Sequence, residues 1–285
     1  MLNLFFPQWQ GSGRLDLALG VQAVYQLLQP KMEFIPIEVA STYALTLEEN
    51  IWGLRQIIAQ LDAVCRTIQV HDPDRIFTLG GDCGVELAPV SFLNQKYGQN
   101  LTVLWFDAHG DLNTPLSSPS GHFHGMPLRT LLGEGHPELM AKTFSRLHPE
   151  QILLLGTREF DPPEVEFVQR HQLKTFTAKS ICDRKFDDLL TTLHQRGTAH
   201  LYVHLDLDVL DPEEYPHVAC PTAGGISLDS LHELLVYLHQ NFNVVGFSIL
   251  EFLPTENPHQ AIAEMADWVQ QLYGLWVGSL SMEKS

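Results

Sequence analysis

The chain has 285 residues, 45% hydrophobic and 18% charged, with 34 acidic against 17 basic side chains and a formal charge of −17. That composition belongs to a globular protein with a sizeable core and excludes a disordered or fibrous chain. Its acidity disfavours nucleic acid and anionic membranes as partners.

No stretch reaches the ~20 apolar residues of a bilayer span, and the opening Met-Leu-Asn-Leu-Phe-Phe-Pro lacks the basic start of a signal peptide. The four scattered cysteines (Cys65, Cys83, Cys182, Cys220) make no disulfide framework, so a reduced, cytoplasmic protein is expected.

In chain order, the hydrophobic pattern predicts a strand at 2–6, a helix at 16–28, a strand at 34–37 and an amphipathic helix at 47–67. A strand at 76–79, a helix at 85–96 and a strand at 101–106 follow. Next come a strand at 152–156, a helix from Pro163 to His171, a strand at 174–177 and a helix at 186–194. The pattern closes with a strand at 201–205, a helix at 228–241 capped by Ser227, a strand at 244–250 and a helix at 258–276. Most of the strands are short and apolar on both faces, as strands are when helices cover both sides of a parallel sheet. Strand–helix alternation without a visible linker predicts a single doubly wound α/β domain spanning 1–285.

Open parallel sheets bind ligands at the carboxyl ends of their strands. Here the strand ends are polar in a consistent way. Gly80-Gly81-Asp82-Cys83 follows the strand at 76–79, and Asp107-Ala108-His109-Gly110-Asp111 follows 101–106. Asp206-Leu207-Asp208 and Asp211 follow 201–205, and Glu251 follows 244–250. In extended chain, alternate residues point the same way. Asp107, His109 and Asp111 can therefore converge, and so can Asp206 and Asp208. Taken singly, each Asp could cap a helix or close a turn. Taken together they are read as metal ligands, because packed carboxylates repel and divalent cations remove that cost; this many carboxylates suit two ions better than one.

With these residues in view, the chain resembles the ureohydrolase family of arginase, agmatinase and their relatives. The matching blocks are Gly-Gly-Asp-Cys (80–83), Asp-Ala-His-Gly-Asp (107–111), Ser-Gly-His-Phe-His-Gly-Met-Pro (120–127), Asp-Leu-Asp-Val-Leu-Asp-Pro (206–212) and Glu251. The resemblance implies a three-layer α/β sandwich with a mostly parallel, about eight-stranded sheet, two manganese ions sharing a hydroxide, hydrolysis of a guanidino C–N bond to urea, and a trimer or hexamer. It makes Asp107, His109, Asp111, Asp206 and Asp208 metal ligands. Asp111 also orients the hydroxide, Glu251 holds the guanidinium, and His124 shuttles protons. Asn113 and Ser120 match contacts to an α-carboxylate, with His122 where a third contact is usually Asn. Asp161 and Glu164 match residues near an α-amino group. This set favours L-arginine; the block from His124 to Arg129 has an agmatinase flavour.

Two positions depart from the family pattern. Position 83 normally supplies an imidazole to one metal, and here carries a thiol. Thiolate suits zinc or iron better than manganese, so that position is expected to bind weakly, to take another divalent ion, or to stay out of a one-ion site. Equally, Cys83 could be a small buried residue that ligates nothing. Cys220 stands where arginases usually carry Thr near the guanidinium, which opens redox sensitivity or metal capture beside ordinary burial. Agmatine, formiminoglutamate, guanidinobutyrate and other guanidino or amidino compounds stay open as substrates. A reading of another class is a catalytically impaired metal-binding or regulatory protein. A dinucleotide-binding reading of 80–84 lacks the third glycine.

Overall fold

The computed structural model describes residues 1–40 and 44–282. In chain order it runs β1 (Leu2–Phe6), α1 (Leu15–Leu28), β2 (Ile35–Pro36), β3 (Leu47–Glu48), β4 (Ile51–Trp52), α2 (Leu54–His71), β5 (Ile76–Gly80), α3 (Leu87–Tyr97) and β6 (Leu101–Phe106). It continues with α4 (Pro127–Leu131), α5 (Pro137–Lys142), β7 (Ile152–Leu155), α6 (Pro162–His171), β8 (Lys174–Phe176), α7 (Ala178–Cys182), α8 (Asp187–Gln195), β9 (His200–Asp206), α9 (Leu228–Asn241), β10 (Asn243–Leu250) and α10 (Pro258–Met282).

Eight strands form one sheet in the order β2-β1-β5-β10-β9-β6-β7-β8. Every neighbouring pair in it is parallel. Successive side chains divide between two cores, which is why the strands read as mostly apolar on both faces. Phe77, Leu79, Leu104 and Phe106 face a layer built on α1 and α7–α10. Ile76, Val103 and Trp105 face a layer built on α2–α6. This is the three-layer sandwich expected.

The helix expected from 47 starts late. Residues 47–52 form the antiparallel pair β3–β4, and α2 begins only at Leu54. Glu49 and Asn50 both have positive φ (49° and 62°), the backbone of a two-residue primed hairpin turn that twists with its strands. Leu47, Ile51 and Leu54 happen to keep helical spacing, so periodicity alone misleads here. The hairpin braces the loop before α4: Trp52 donates its backbone N–H to Gly121 O (3.0 Å) and its indole N–H to Ser120 O (3.2 Å).

The order of the strands positions the site. β5, β10, β9 and β6 are neighbours in the middle of the sheet, so the four polar strand ends open side by side. The segment after β5 is held close to the chain after β1: a Cβ on Gly81 would lie 1.8 Å from Gln8 O, an approach that only glycine permits. Asp82 fastens the same crossing, accepting from Gln8 Nε2 (2.9 Å) and from the backbone N–H groups of Gly11 and Gly84 (2.8 and 2.9 Å).

Candidate active site

The four central strand ends deliver a compact group of ligand atoms. Asp107, His109 and Asp208 form one cluster, Cys83, Asp107, Asp111 and His204 a second, and Cys83, Asp206 and Glu251 a third; within each, the ligand atoms lie within 4.8 Å of one another. The carboxylates are all buried. His109 Nδ1 stands 2.9 Å from Asp208 Oδ2 and 3.4 Å from Asp107 Oδ1. The Cys83 thiol donates to Asp206 Oδ2 (3.1 Å), and Asp208 Oδ1 accepts the Ala108 N–H (2.9 Å). Five predicted ligands and Cys83 thus meet at one place.

Asp111 and Glu251 sit in the left-handed region, with φ of 53° and 62°. For side chains other than glycine this conformation costs about 1–3 kcal/mol and gathers at functional sites. The same two residues carry buried oxygens, Asp111 Oδ2 and Glu251 Oε2, that have no hydrogen-bond partner among the described residues. Such atoms imply a missing counterpart.

These groups line a cavity of about 180 Å³, with every predicted site residue on its wall except Asp107, which lies behind. Glu251 Oε1 accepts from Cys83 N (3.1 Å) and pairs with His124 Nδ1 (3.3 Å). Across the wall, Asn113 Nδ2 donates to Asp161 Oδ2 (2.8 Å), and its Oδ1 accepts from Ser117 Oγ (2.8 Å). Glu164 is committed to the loops, accepting the N–H groups of Leu112 and Asp161 (both 2.8 Å) as half of a capping box on α6. Ser120 and His122 are on the rim; Ser120 Oγ accepts the His122 N–H at 3.2 Å.

A profile of the arginase family matches residues 16–273. The chain belongs to the arginase family. It is 38% identical over 280 residues to an arginase of Staphylococcus aureus (strain MRSA252), across 91% of this chain and 92% of that one. The arginase of Bacillus caldovelox superposes with a TM-score of 0.81 at 26% identity, over 97% of each chain. The fold also matches an Entamoeba histolytica arginase in complex with L-ornithine, with a TM-score of 0.84 at 23% identity over 96% of this chain and 98% of that one. As a member of the arginase family, the protein is a ureohydrolase.

The donor set of this arginase-family site fits divalent cations. Burial and the charge of Asp107 push Asp111 well above the ordinary carboxylate range. Burial, then Asp208 and Asp107, do the same to Asp206. Asp208 is pushed up to about 6 by burial and Asp107, against the pull of His109. Burial opposes ionisation of Asp107 too, but the hydrogen bonds and charges of His109 and His204 hold it below the usual range. Carboxylates that raise one another in this way are the signature of a cation site. Cys83 is pushed well up by burial and the neighbouring carboxylates, so a cation must displace its proton before it ligates. Burial and Glu251 push the Cys220 thiol on the cavity wall up to about 11, which keeps it an unreactive neutral thiol at neutral pH.

Two buried polar residues of this arginase-family site escape the sequence reading. His204, in β9, lies two positions before Asp206 and four before Asp208. The alternation that singles out Asp107, His109 and Asp111 applies equally to His204, Asp206 and Asp208, and would have found it. Glu86, in the turn of 3-10 helix Cys83–Glu86 ahead of α3, looks like a surface position of an expected helix. It is fully buried and accepts from His204 Nδ1 (2.8 Å), Tyr202 Oη (2.5 Å) and Ser248 Oγ.

Proposed function

We propose that this ureohydrolase hydrolyses the guanidinium C–N bond of L-arginine, releasing urea and L-ornithine. The observation that carries the reading is the buried, unpartnered Glu251 Oε2 on the wall of the cavity, beside the ligand cluster and within reach of His124. A guanidinium is the planar, multiply donating cation that such a carboxylate is built to receive.

Asp107, His109, Asp111, Asp206 and Asp208 would hold divalent cations, manganese suiting their oxygen and nitrogen donors, and ions bound there would make hydroxide available near neutral pH. Asp111 accepts the hydrogen of the attacking oxygen and aims it at the guanidinium carbon. Glu251 holds the guanidinium in the plane that exposes this carbon. As the C–N bond breaks, His124 passes a proton to the departing amine. Its ring is positioned by Glu251, whose hydrogen bond and charge raise it above the ordinary histidine range even though burial lowers it. At the other end of the substrate, Asn113 and Ser120 meet the α-carboxylate and Asp161 the α-amino group. Glu164 acts by fixing the turn that carries Asn113.

Urea release from L-arginine, agmatine and a guanidino acid lacking the α-amine tests the assignment. L-arginine is expected to have the highest kcat/KM, by about fivefold or more, because polar groups of the site that lose a partner cost about 1–3 kcal/mol. A preference for agmatine or the guanidino acid overturns the substrate. No urea from any of them, with cations bound, replaces the hydrolase reading with that of a metal-binding regulatory protein.

A further inference from the structure

The thiol at position 83 has an imidazole beside it. His204 is fully buried in β9, and its Nε2 stands 3.9 Å from Cys83 Sγ and 3.7 Å from Asp107 Oδ2. The ring is held on two sides. It stacks on Trp105 with centroids 3.6 Å apart and planes 12° from parallel, and its Nδ1 meets Glu86 Oε1 at 2.8 Å. A carboxylate only accepts, so Nδ1 carries the proton that meets Glu86, and a cation that displaces the proton on Nε2 would meet a lone pair facing Cys83 and Asp107. A carboxylate behind a histidine in this way fixes tautomer and orientation in metal sites and makes the far nitrogen a better donor.

We propose that His204 is a metal ligand. With Cys83 Sγ, Asp107 and Asp111 it forms one position of mixed nitrogen, sulfur and oxygen donors, selective for a borderline cation such as zinc, cobalt(II) or iron(II) over manganese. The proposal rests on the reading of the cluster as a hydrolytic metal centre, and it deepens that reading by assigning the two positions different chemistry. Asp107, His109 and Asp208 make the harder position, and Asp206 reaches both, with Oδ2 3.1 Å from Cys83 Sγ and Oδ1 accepting the Asp208 N–H at 2.8 Å.

Three observations support it. The four donor atoms lie within 4.8 Å of one another; donors at about 2.0–2.3 Å from a shared four-coordinate ion stand roughly 3.3–3.8 Å apart, so small side-chain movements close the site. Asp111 Oδ2 is buried with no partner, which leaves it an open lone pair within the same group. Cys83 Sγ stands 3.9 Å from His204 Nε2, so the same position pairs a sulfur donor with a nitrogen donor. Replacing an oxygen or nitrogen donor by thiolate moves selectivity toward softer ions.

Glu86 is the positioning residue. It touches no reacting atom and holds the His204 ring from behind. The network around it joins Tyr202, His204 and Ser248, from two neighbouring strands, to the turn that carries Cys83. A buried carboxylate with three donors is an expensive arrangement for packing alone, and a sound one for aiming a ligand.

The test is titration of the full-length, chelator-stripped protein with cobalt(II), following bound ions per chain and the near-ultraviolet thiolate-to-cobalt charge-transfer absorption. Two ions per chain are expected, one of them with that absorption. His204→Gln is expected to weaken the thiolate-bearing position at least tenfold, with the absorption lost at limiting metal. Glu86→Gln should weaken the same position by 10- to 100-fold. Asp208→Asn should instead weaken the other position and leave the absorption intact. In case a variant fails to fold, the unmodified cobalt protein gives an independent reading by paramagnetically shifted proton resonances. Two exchangeable imidazole N–H signals, from His109 and His204, support the proposal, and one overturns it. Unchanged affinity and absorption in folded His204→Gln also overturn it, as does displacement of zinc from the thiolate-bearing position by equimolar manganese. Loss of urea production while both ions and the absorption persist would count against the hydrolase reading and leave His204 ligation standing.

Discussion

Replacing Glu251 by glutamine changes one buried oxygen and one charge while keeping the side-chain shape. Glu251 Oε1 accepts from Cys83 N and pairs with His124 Nδ1, whereas Oε2 has no partner among the described residues. Glutamine can keep the first contact with its carbonyl oxygen, but it then turns an NH₂ toward the substrate's own donors. Removing one partner of a buried, hydrogen-bonded charge pair costs about 2–5 kcal/mol. Taking about 3 kcal/mol, kcat/KM for L-arginine falls about 150-fold, since 1.36 kcal/mol is a factor of ten. Folding should not suffer. The charge of Glu251 adds to the upward shifts of Asp82, Cys83 and Asp206, so its removal relieves repulsion among neighbours that stay buried. The assay pairs steady-state urea release with metal content and a thermal melt. Unchanged kcat/KM, or a loss of both bound ions that explains the lost activity, would refute the role given to this carboxylate.

Cys83→His should raise manganese affinity at the thiolate-bearing position and raise manganese-supported urea release, read by titration with ions counted per chain; unchanged affinity would show the thiol to be no obstacle to manganese. Gly81→Ala places a methyl 1.8 Å from Gln8 O, and is expected to cost about 3 kcal/mol or more in urea denaturation; a cost below 1 kcal/mol would mean the crossing of these segments is not rigid. His239 donates Nδ1–H to Leu235 O (2.7 Å) while its buried Nε2 has no partner among the described residues, and burial, with help from Arg75, depresses its proton affinity. The stability it secures is whole above the unfolded histidine pKa of ~6.5 and is lost as pH falls through the depressed folded value, at no more than about 1.4 kcal/mol per pH unit. His239→Leu should therefore flatten the decline in unfolding free energy between pH 6.5 and 5.5, and an equal decline in both proteins would refute the assignment.

The sheet was legible because its strands are buried on both faces. β1, β5, β6 and β10 are mostly apolar, with Asn3, Thr78, Thr102 and Ser248 as uncharged polar residues within them, and the ionisable residues after β5, β6 and β10 fall at the carboxyl ends. The alternation in Asp107-Ala108-His109-Gly110-Asp111 exposed half of the site for the same geometric reason. What stayed hidden depends on partners far along the chain. Glu86 and His204 are 118 residues apart and satisfy each other inside the core, so neither interrupts the local pattern in a way that marks function. Asn113 and Glu164 were recognised as site residues by resemblance. That Glu164 spends its oxygens on two backbone N–H groups depends on how the loop after β6 packs on α6, which no local spacing encodes. The β3–β4 hairpin was missed because six residues with helical spacing cannot outvote a turn whose two residues both take positive φ.

The position of β10 between β5 and β9 bears on how the protein is made. Cys83 and Asp206 touch at 3.1 Å, yet the strands that precede them are two places apart in the sheet, or about 9.6 Å at the usual spacing of ~4.8 Å. The strand that fills the interval is residues 243–250, translated after every other strand of the sheet. A nascent chain that has not reached them presents two bare strand edges and a set of carboxylates with no floor to hold them in register. Such edges invite pairing with other chains. Premature termination ahead of Asn243 is therefore expected to yield an aggregating polypeptide that captures no metal, rather than a shortened enzyme of reduced activity. Cation loading becomes an event that follows synthesis of nearly the whole chain.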